Sequence, residues 1–324
     1  MLSGNLNFSL PLVLAVSRGA VAKIVCSYNS QLWETSGSKE QSYGIDSSFG
    51  YGWRVQIGSI VPQLSQRGVS GYTYINESGA EYPLSLSRGV WVSLQGLFIN
   101  YNPTEKRLRF PDGTFWVMGC ESAAGEYDAG ALYPTLIQDS NGNQIIIRYM
   151  TGAGSNKKNS SSRIVEITDA RAVDSKSGRK TYSFIYGTGN IPHLLAITSH
   201  ISNSESWSFS YETQRLASPF KASGNYGFVS VLKSIRTSAG FDYTFAYNTS
   251  GELRLAQMPY GARFRWEYET VNSAVRSVGT RGVKERGLML SQNAKEAVYD
   301  IKLSQRAGTA YTVLTEPEGM AVRI

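Results

Sequence analysis

Apolar and polar residues alternate along this chain in short runs, and the runs are separated by turns. Every second residue from Leu6 to Leu14 is apolar, and the alternation resumes from Ala22 to Tyr28 after the sequence "SRGA". A period of two sends successive side chains to opposite faces of a strand, so both runs predict strands with one buried face. The Gly-containing turn between them predicts a β-hairpin.

The same succession of run and turn continues to the end of the chain. The turns combine Asn, Asp, Glu, Ser or Pro with a glycine, as in "INESGAEYPL", "LRFPDGTFWVMG", "FAYNTSGELRL" and "VLTEPEGMAVRI". Proline presets one turn dihedral and glycine accepts a positive φ, so each stretch predicts a hairpin turn. The 324 residues include 20 Tyr and 32 Gly and are 41% apolar, which favours an all-β chain with a full core.

The stretch "LIQDSNGNQIIIRYM" (136–150) concentrates side-chain oxygen atoms that are typical calcium ligands. Asp139, Asn141 and Asn143 fit the first, third and fifth positions of an EF-hand loop. That loop also needs glycine at its sixth position and a bidentate glutamate at its twelfth, whereas Gly142 is fourth here and Met150 is twelfth. An Asn-Gly pair before an apolar run is typical of a hairpin turn whose two central residues have positive φ, so we predict a turn.

Several strands end in an aromatic residue, one further residue and a tyrosine. The sequences are "YSFIY", "WSFSY", "YTFAY" and "FRWEY", and a Leu- or Ile-containing run precedes each of the first three. Aromatic residues two apart lie on one face of a strand. The pattern predicts a repeating hairpin with a polar turn and a closing tyrosine. Its signature residues are Asp139, Asn141, Gly142, Asn143, Tyr149, Tyr186, Tyr211, Tyr247, Gly251 and Tyr268.

Charge and hydropathy exclude several classes of function. The formal charge is +7, but Lys and Arg are scattered, so the sequence does not favour a nucleic-acid surface. No apolar run approaches the roughly 18 residues of a membrane span. The segment 8–22 has the apolar run of a signal peptide, but Arg18 interrupts that run and no Lys or Arg precedes it. A hairpin is the preferred interpretation of this segment.

The residues that carry chemistry form no recognisable catalytic or metal-binding motif. His193 and His200 are seven apart with no carboxylate or Cys motif between them, which favours ordinary strand or loop positions. Cys26 lies in an alternating run and is predicted to be a buried free thiol, although pairing with Cys120 stays open. We therefore predict no catalytic residue, cofactor or metal site.

Two further sets of residues keep other functions open. A glycosidase uses two carboxylates that need not share a local motif, and several carboxylates lie among aromatic residues. Exposed aromatic side chains on a β face bind sugars or protein partners, although most of these Trp residues are expected in the core. The carboxylates are Glu34, Asp46, Glu121, Glu126 and Asp128, and the aromatic candidates are Trp33, Trp53, Trp91, Trp116, Trp207 and Trp266.

The motifs together resemble Rhs or YD-repeat proteins, a family that includes bacterial polymorphic toxins, the C component of insecticidal toxin complexes and teneurins. The resemblance rests on "LYPTLIQDSNGNQIIIRYM", "SGRKTYSFIYG" and "FDYTFAYNTSGELRLAQMPYGARFRWEYE". Upstream, "GNLNFSLPLVLAVSRG", "CSYNSQ" and "SSFGYGWRVQIGSIV" resemble the region that precedes the repeats in bacterial members. The resemblance implies a lead-in region at 1–130 and hairpin repeats at 131–324, both in one continuous sheet that is a fragment of a larger shell.

The expected fold is a long antiparallel sheet of hairpins that curls into an open shell or barrel-like spiral. A hairpin with one aromatic face cannot bury that face alone, so neighbouring hairpins must continue the sheet. The expected function is a non-catalytic scaffold that encloses or presents a cargo or toxin polypeptide. A carbohydrate- or cell-surface-binding β module is the alternative, and a hydrolase of unrecognised type is a third.

The resemblance also implies partners and a location. We expect association with cargo, with further repeat segments or with a second copy through open sheet edges, and carbohydrate is a further ligand class. We expect the protein to be secreted or associated with the surface of a bacterial cell. The sequence shows no convincing signal peptide of its own. Autoproteolysis and toxicity are not expected, because no self-cleavage segment or effector domain is recognised in the chain.

Overall fold

The computed structural model describes residues 4–37, 39–66, 68–93, 96–150, 162–175, 178–202, 205–221, 224–272, 278–306, 309–319 and 321–323. These residues form antiparallel strands joined by turns, with a 3₁₀ turn at Pro259–Gly261. The predicted all-β class is therefore confirmed. Across the described ranges, no helix has the length and apolar character needed to cross a membrane.

The described strands range in length from two residues in β13 and β14 to 13 residues in β23. They are β1 (Asn7–Ser17), β2 (Ala20–Asn29), β3 (Trp33–Ser36), β4 (Lys39–Ser42), β5 (Trp53–Gln56), β6 (Gly58–Ser65), β7 (Gly68–Asn76), β8 (Glu81–Ser87), β9 (Val90–Ser93), β10 (Asn100–Asn102), β11 (Arg107–Arg109), β12 (Phe115–Val117), β13 (Cys120–Glu121), β14 (Leu132–Tyr133), β15 (Leu136–Gln138), β16 (Gln144–Tyr149), β17 (Ile164–Thr168), β18 (Val173–Ser175), β19 (Gly178–Lys180), β20 (Tyr182–Tyr186), β21 (Leu194–Ser199), β22 (Trp207–Ala217), β23 (Asn225–Thr237), β24 (Asp242–Tyr247), β25 (Leu253–Gln257), β26 (Arg263–Asn272), β27 (Val278–Met289), β28 (Ala297–Arg306), β29 (Thr309–Thr315) and β30 (Ala321–Arg323).

The first of two compact units comprises Met1–Phe8, Tyr28–Trp53 and Ser208–Ile324. Here β23 to β30 pair antiparallel in chain order, each with its neighbour. The start of β27 also pairs with β3, which pairs with β4. The core of this unit is rich in aromatic side chains because they lie on the buried face of alternating runs. It includes Tyr28, Trp33, Phe49, Tyr51, Trp53, Phe245 and Trp266.

The second unit comprises Ser9–Ser27 and Arg54–Trp207. Its strands pair antiparallel from β6 through β12, and the series continues from β12 through β15, β16, β17, β20 and β21. Strands β1 and β2 are hydrogen-bonded neighbours, so the hairpin predicted in place of a signal peptide is confirmed. Its core is mainly aliphatic, and includes Ile24, Ile60, Leu108, Ile137, Ile147, Ile167 and Ile197.

The predicted division at residue 130 and the curling of the sheet into a shell stay predictions. The division concerns where family repeats begin, and the partition into compact units does not test it. Cys26 and Cys120 are both buried and neither forms a disulfide, which confirms the thiol predicted for Cys26. Burial raises the pKa of the Cys26 thiol, since the thiolate would lose its solvation, so this group is an inert core residue.

Candidate functional site

The segment Asp139–Asn143 forms the turn of a hairpin between β15 and β16. The Asp139 Oδ1 atom accepts the backbone N–H groups of Asn141 (2.9 Å) and Asn143 (2.8 Å), and Oδ2 accepts the Asn143 side-chain amide (2.7 Å). The hydrogen bond from the Asn143 side chain is the main reason that the pKa of Asp139 lies below its ordinary value. The carboxylate thus stabilises the turn through three hydrogen bonds.

The turn type differs from the predicted one. Gly142 has φ +84°, but Asn141 is not among the non-glycine residues with positive φ, so the two-residue turn predicted for Asn-Gly was wrong. The Gly142 N–H donates to the Asp139 carbonyl, and the Asp139 N–H donates to the Asn143 carbonyl. These bonds define a three-residue loop in which a type I turn is followed by a glycine in the left-handed region.

The same five-residue turn recurs in both units. In each case the N–H of the fourth residue, a glycine with φ between +76° and +87°, donates to the carbonyl of the first residue, and the first N–H donates to the fifth carbonyl. Three turns begin with Asn or Asp, whose side chain accepts the third and fifth N–H groups. Among the described residues, five such turns occupy 76–80, 110–114, 139–143, 237–241 and 248–252.

Four signature tyrosines make the same hydrogen bond within their own hairpins. Each side-chain hydroxyl donates to the backbone carbonyl that lies two residues before the register-paired segment of the preceding strand, an arrangement that we call the tyrosine clamp. Burial raises the pKa of Tyr149, Tyr186 and Tyr268, so these hydroxyls stay protonated and able to donate. The clamps join Tyr149 to Pro134 (3.0 Å), Tyr186 to Ile164 (3.0 Å), Tyr247 to Leu232 (2.7 Å) and Tyr268 to Leu253 (2.7 Å).

A β-bulge accompanies every one of these four clamps. The register with the following strand shifts immediately before the tyrosine, which leaves one extra residue on that following strand. A bulge bends and twists a strand pair locally, so bending and clamping coincide in each repeat. The extra residues are Val165, Leu195, Arg254 and Lys284.

Two signature positions remain. Gly251 is the positive-φ glycine of the turn at 248–252, whereas Tyr211 lies half-buried within β22. The structure therefore places the signature on hairpin turns and strand ends rather than in one cavity. Their identity as a family repeat signature stays a prediction.

In the first unit, aromatic side chains from the N-terminal part of the chain hold the turn at 248–252. The Trp33 indole N–H donates to the Ser250 carbonyl (2.8 Å), and the Tyr28 hydroxyl accepts the Leu253 N–H (2.9 Å). The buried Glu252 carboxylate accepts Arg281 Nε (2.8 Å) and the Asn248 side-chain amide (2.7 Å). The turn is thus fixed by groups that lie more than 200 residues upstream as well as by its neighbours.

In the second unit, Asp169 performs a comparable role for β1. Its carboxylate accepts the Val16 backbone N–H (2.9 Å), the Thr181 hydroxyl (2.8 Å) and the Arg171 guanidinium (2.8 Å). Burial alone would raise the pKa of Asp169, but these hydrogen bonds outweigh it and hold the pKa below its ordinary value.

Acid should remove the contribution of Asp169. Because its folded-state pKa is lowered, the stabilisation is complete above the ordinary carboxyl pKa of about 3.9 and is lost as pH falls through the lowered folded value. Urea unfolding is measured at a series of pH values from 7 downwards. At neutral pH the free energy of unfolding of Asp169→Asn should be well below that of the unsubstituted protein, and the difference between the two should narrow below about pH 4. The exposed Asp174→Asn control should show no gap, and a gap of constant width would contradict the assignment.

Removing one clamp hydroxyl should destabilise the protein measurably. Tyr268→Phe leaves the Leu253 carbonyl without its side-chain donor in a buried position, at a cost of about 1–2 kcal/mol in the free energy of unfolding. The control is Tyr260→Phe, because that side chain is 84% exposed. Chemical unfolding followed by Trp fluorescence measures both variants, and equal stability of the two would count against the clamp.

Most residues considered for chemistry are engaged in the structure of their own unit. Asp46 accepts the N–H groups of Ser48 and Gly50 (both 3.1 Å). Glu126 pairs with Arg163, and both side chains are nearly buried. Asp128 accepts the hydroxyls of Ser122 and Tyr133, Glu121 pairs with Lys106 at the surface, Glu34 is half-buried on β3, and His200 contacts the Ser183 hydroxyl.

The tryptophans follow the expectation that most lie in the core. Trp33, Trp53, Trp116 and Trp266 are buried, whereas Trp91 and Trp207 are half-buried. The clamp tyrosines could be recognised in the sequence, but their acceptors could not, because every residue has a backbone carbonyl. It likewise contained no signal for the bulges.

Comparisons with known proteins give low similarity throughout. No protein-family model matches the chain, and no curated protein matches it. Solved structures that match include TcdB2-TccC3-Cdc42, with 13% identity and a TM-score of 0.38 over 93% of this chain and 16% of the other. A Photorhabdus luminescens Tc holotoxin pore matches with 12% identity and a TM-score of 0.40, over 96% of this chain and 18% of the other.

A smaller protein also matches. It is the N-terminal domain of the effector protein SpvB from Salmonella typhimurium strain LT2, with 12% identity and a TM-score of 0.32. The match covers 87% of this chain and 98% of that domain. By contrast, the chain spans less than a fifth of the two toxin-complex chains.

Proposed function

We propose that this chain is a non-catalytic hairpin-repeat scaffold of the Rhs or YD type, which encloses or presents a partner polypeptide. The observation that carries the proposal is the recurrence of one device, the tyrosine clamp with its bulge, in both units. The sequence resemblance supplies the expectation of a cargo. Secretion or display at a bacterial surface belongs to the same proposal.

The clamp supports a scaffold because it closes each hairpin with the same bond. The hydroxyl near the end of the second strand donates to a carbonyl on the first strand or just before it. The bulge lies where that second strand pairs with the next strand of the series, so the same two features accompany the passage from one hairpin to the next. The bulge adds a bend at the same place in each repeat. Repetition of a bend from hairpin to hairpin is how a sheet is made to curve.

The use of the polar side chains also supports a structural role. Three carboxylates accept several hydrogen bonds each, as a binding-site carboxylate would. Their donors are backbone N–H groups, a guanidinium or an amide of their own unit, and the residues are Asp139, Asp169 and Glu252. Such groups stabilise turns and strand ends rather than bind substrate. We therefore propose that the scaffold has no catalysis of its own.

Protection of a cargo from protease tests this proposal. The chain is co-expressed with the polypeptide encoded immediately downstream of it, purified through a tag on the chain, and exposed to trypsin. We expect the polypeptide to co-purify and to resist digestion under conditions that degrade it when it is expressed without the chain. Gly251→Ala, which should loosen the scaffold, serves as the matched variant in which protection falls.

Failure would take a definite form. A downstream polypeptide that does not co-purify, or that co-purifies but is digested as fast as the free polypeptide, would contradict enclosure. Association of the chain with itself through sheet edges stays a prediction, and light scattering on the purified chain measures it separately. In the described pairings, β30 is paired on one side, with β29.

A further inference from the structure

Two of the five-residue turns carry carboxylates at positions that the two backbone hydrogen bonds of the turn do not require. The hydrogen bonds of the turn use the first and fifth residues and the glycine at the fourth. The second and third positions are free to vary, because their side chains are not needed for these bonds. Glu77 occupies the second position of the turn at 76–80, and Asp112 occupies the third position of the turn at 110–114.

Both carboxylates line one cleft of the second unit, which we call the turn cleft. Its volume is about 330 Å³, and its lining includes Lys23, Tyr74, Glu77, Phe110, Asp112 and Trp116. This volume falls within the range of small-molecule sites. The fold brings the residues together because both turns lie at the end of their hairpins, next to the outer residues of β2.

The aromatic residues of the turn cleft form one packed group. The ring centroids of Phe110 and Trp116 are 5.0 Å apart, and Tyr74 lies 6.3 Å from Phe110 and 6.2 Å from Trp116. Tyr74 and Trp116 are buried and hold the half-buried Phe110 ring in place, so Phe110 provides most of the accessible surface of a rigid apolar floor. An added Cβ at Gly58 would come 3.0 Å from the Trp116 ring, which shows how closely that ring is held.

The charged groups at the rim make few bonds to the protein. In the described part of the chain, neither Glu77 nor Lys23 makes a hydrogen bond or an ion pair, and Asp112 accepts only the Thr114 N–H (2.9 Å). Glu77 and Tyr74 line the same cleft, where burial and then the Glu77 charge raise the pKa of Tyr74. Two acceptor groups and one donor group therefore surround the same apolar floor.

We propose that the turn cleft binds a neutral sugar ring. A pyranose has an apolar face of C–H groups that packs on aromatic rings, and hydroxyls that both donate and accept hydrogen bonds. Glu77 and Asp112 accept from hydroxyls on one side, and Lys23 donates to a hydroxyl. The site is independent of the scaffold function, since it uses none of the clamp residues.

The mixture of charges at the rim selects a neutral ligand. A cationic side chain would gain from the two carboxylates but would be repelled by Lys23. An anion would gain from Lys23 and be repelled by Glu77 and Asp112. A polyhydroxyl ligand satisfies all three groups, and it leaves none of them desolvated without a partner.

The test measures binding of methyl α-glucoside, methyl α-galactoside and methyl α-mannoside by saturation-transfer NMR and titration calorimetry. We expect at least one glycoside to bind the whole chain with a dissociation constant in the millimolar range. Glu77→Gln and Asp112→Asn should each weaken that binding about tenfold, since each loses a charged acceptor. Glu105→Gln alters an exposed turn carboxylate outside the turn cleft and should leave binding unchanged.

Three outcomes would overturn the proposal. They are no saturable binding of any of the three glycosides, binding that is equal in all variants, and binding of Nα-acetyl-lysinamide that tightens in Lys23→Gln. The last result would assign the turn cleft to cationic side chains. Circular dichroism of each variant verifies folding, and both substitutions keep the side-chain shape and an acceptor oxygen. Glycoside binding, whether present or absent, does not affect the outcome expected in the cargo-protection experiment.

Discussion

Gly251→Ala should lower the free energy of unfolding by about 2–5 kcal/mol, because two costs add at this position. The backbone has φ +76°, which an L side chain adopts only with strain. An added Cβ would also lie 2.8 Å from two ring carbons of Tyr51 and 2.9 Å from a methyl of Leu216. Both neighbours are 2% exposed, so neither can move aside without disturbing the core.

The matched control is Gly240→Ala in the same unit. Gly240 occupies the same position of the same turn type with φ +87°, but nothing lies within 4 Å of an added Cβ. It should cost only the backbone strain, about 1–2 kcal/mol. Urea unfolding of both variants separates the packing cost from the strain, and equal losses would contradict the role assigned to Tyr51 and Leu216.

Glu252→Ala should cost about 3–5 kcal/mol, the loss typical of breaking a buried ion pair from one side. The Glu252 side chain is fully buried, and that of Arg281 is only 10% exposed. Without the carboxylate, the Arg281 guanidinium and the Asn248 amide lose their partner while remaining out of water. The free energy of unfolding is again the quantity to measure.

An exposed pair and a double variant make this prediction specific. Glu267→Ala removes a carboxylate that contacts Arg265 and Lys284, but it is 47% exposed and should cost about 0–1 kcal/mol. Glu252→Ala combined with Arg281→Met should be more stable than Glu252→Ala alone, because the unpaired charge is gone. A double variant that is less stable than the single one would show that the charge is not the cause.

The local features of the fold were predictable, and the features set by distant contacts were not. Alternation of apolar residues predicted the β1–β2 hairpin because burial of one strand face is a local property of sequence. The hairpin at 139–143 was predicted correctly, but the predicted type of its turn was wrong. Asn-Gly suits two kinds of loop, and the Asp139 side chain selects the longer one by accepting two backbone N–H groups.

The candidate site shows the same limit. The tyrosines at 149, 186, 247 and 268 were visible as a pattern, whereas their carbonyl acceptors and the bulges opposite them were not. The turn cleft could not be predicted from the sequence for a related reason. Glu77 and Asp112 looked like ordinary turn residues, and only the packing of two hairpins shows that they share one aromatic floor.

The tyrosine clamp also bears on the order in which the chain acquires its structure. Three clamps span 15 residues and one spans 22, so each can close soon after its tyrosine leaves the ribosome. Contacts of such short range form faster than distant strand pairings. We expect the hairpins to be secured one after another from the N-terminus during synthesis, so that each new hairpin joins an already ordered edge and the interval in which that edge is open to aggregation stays short.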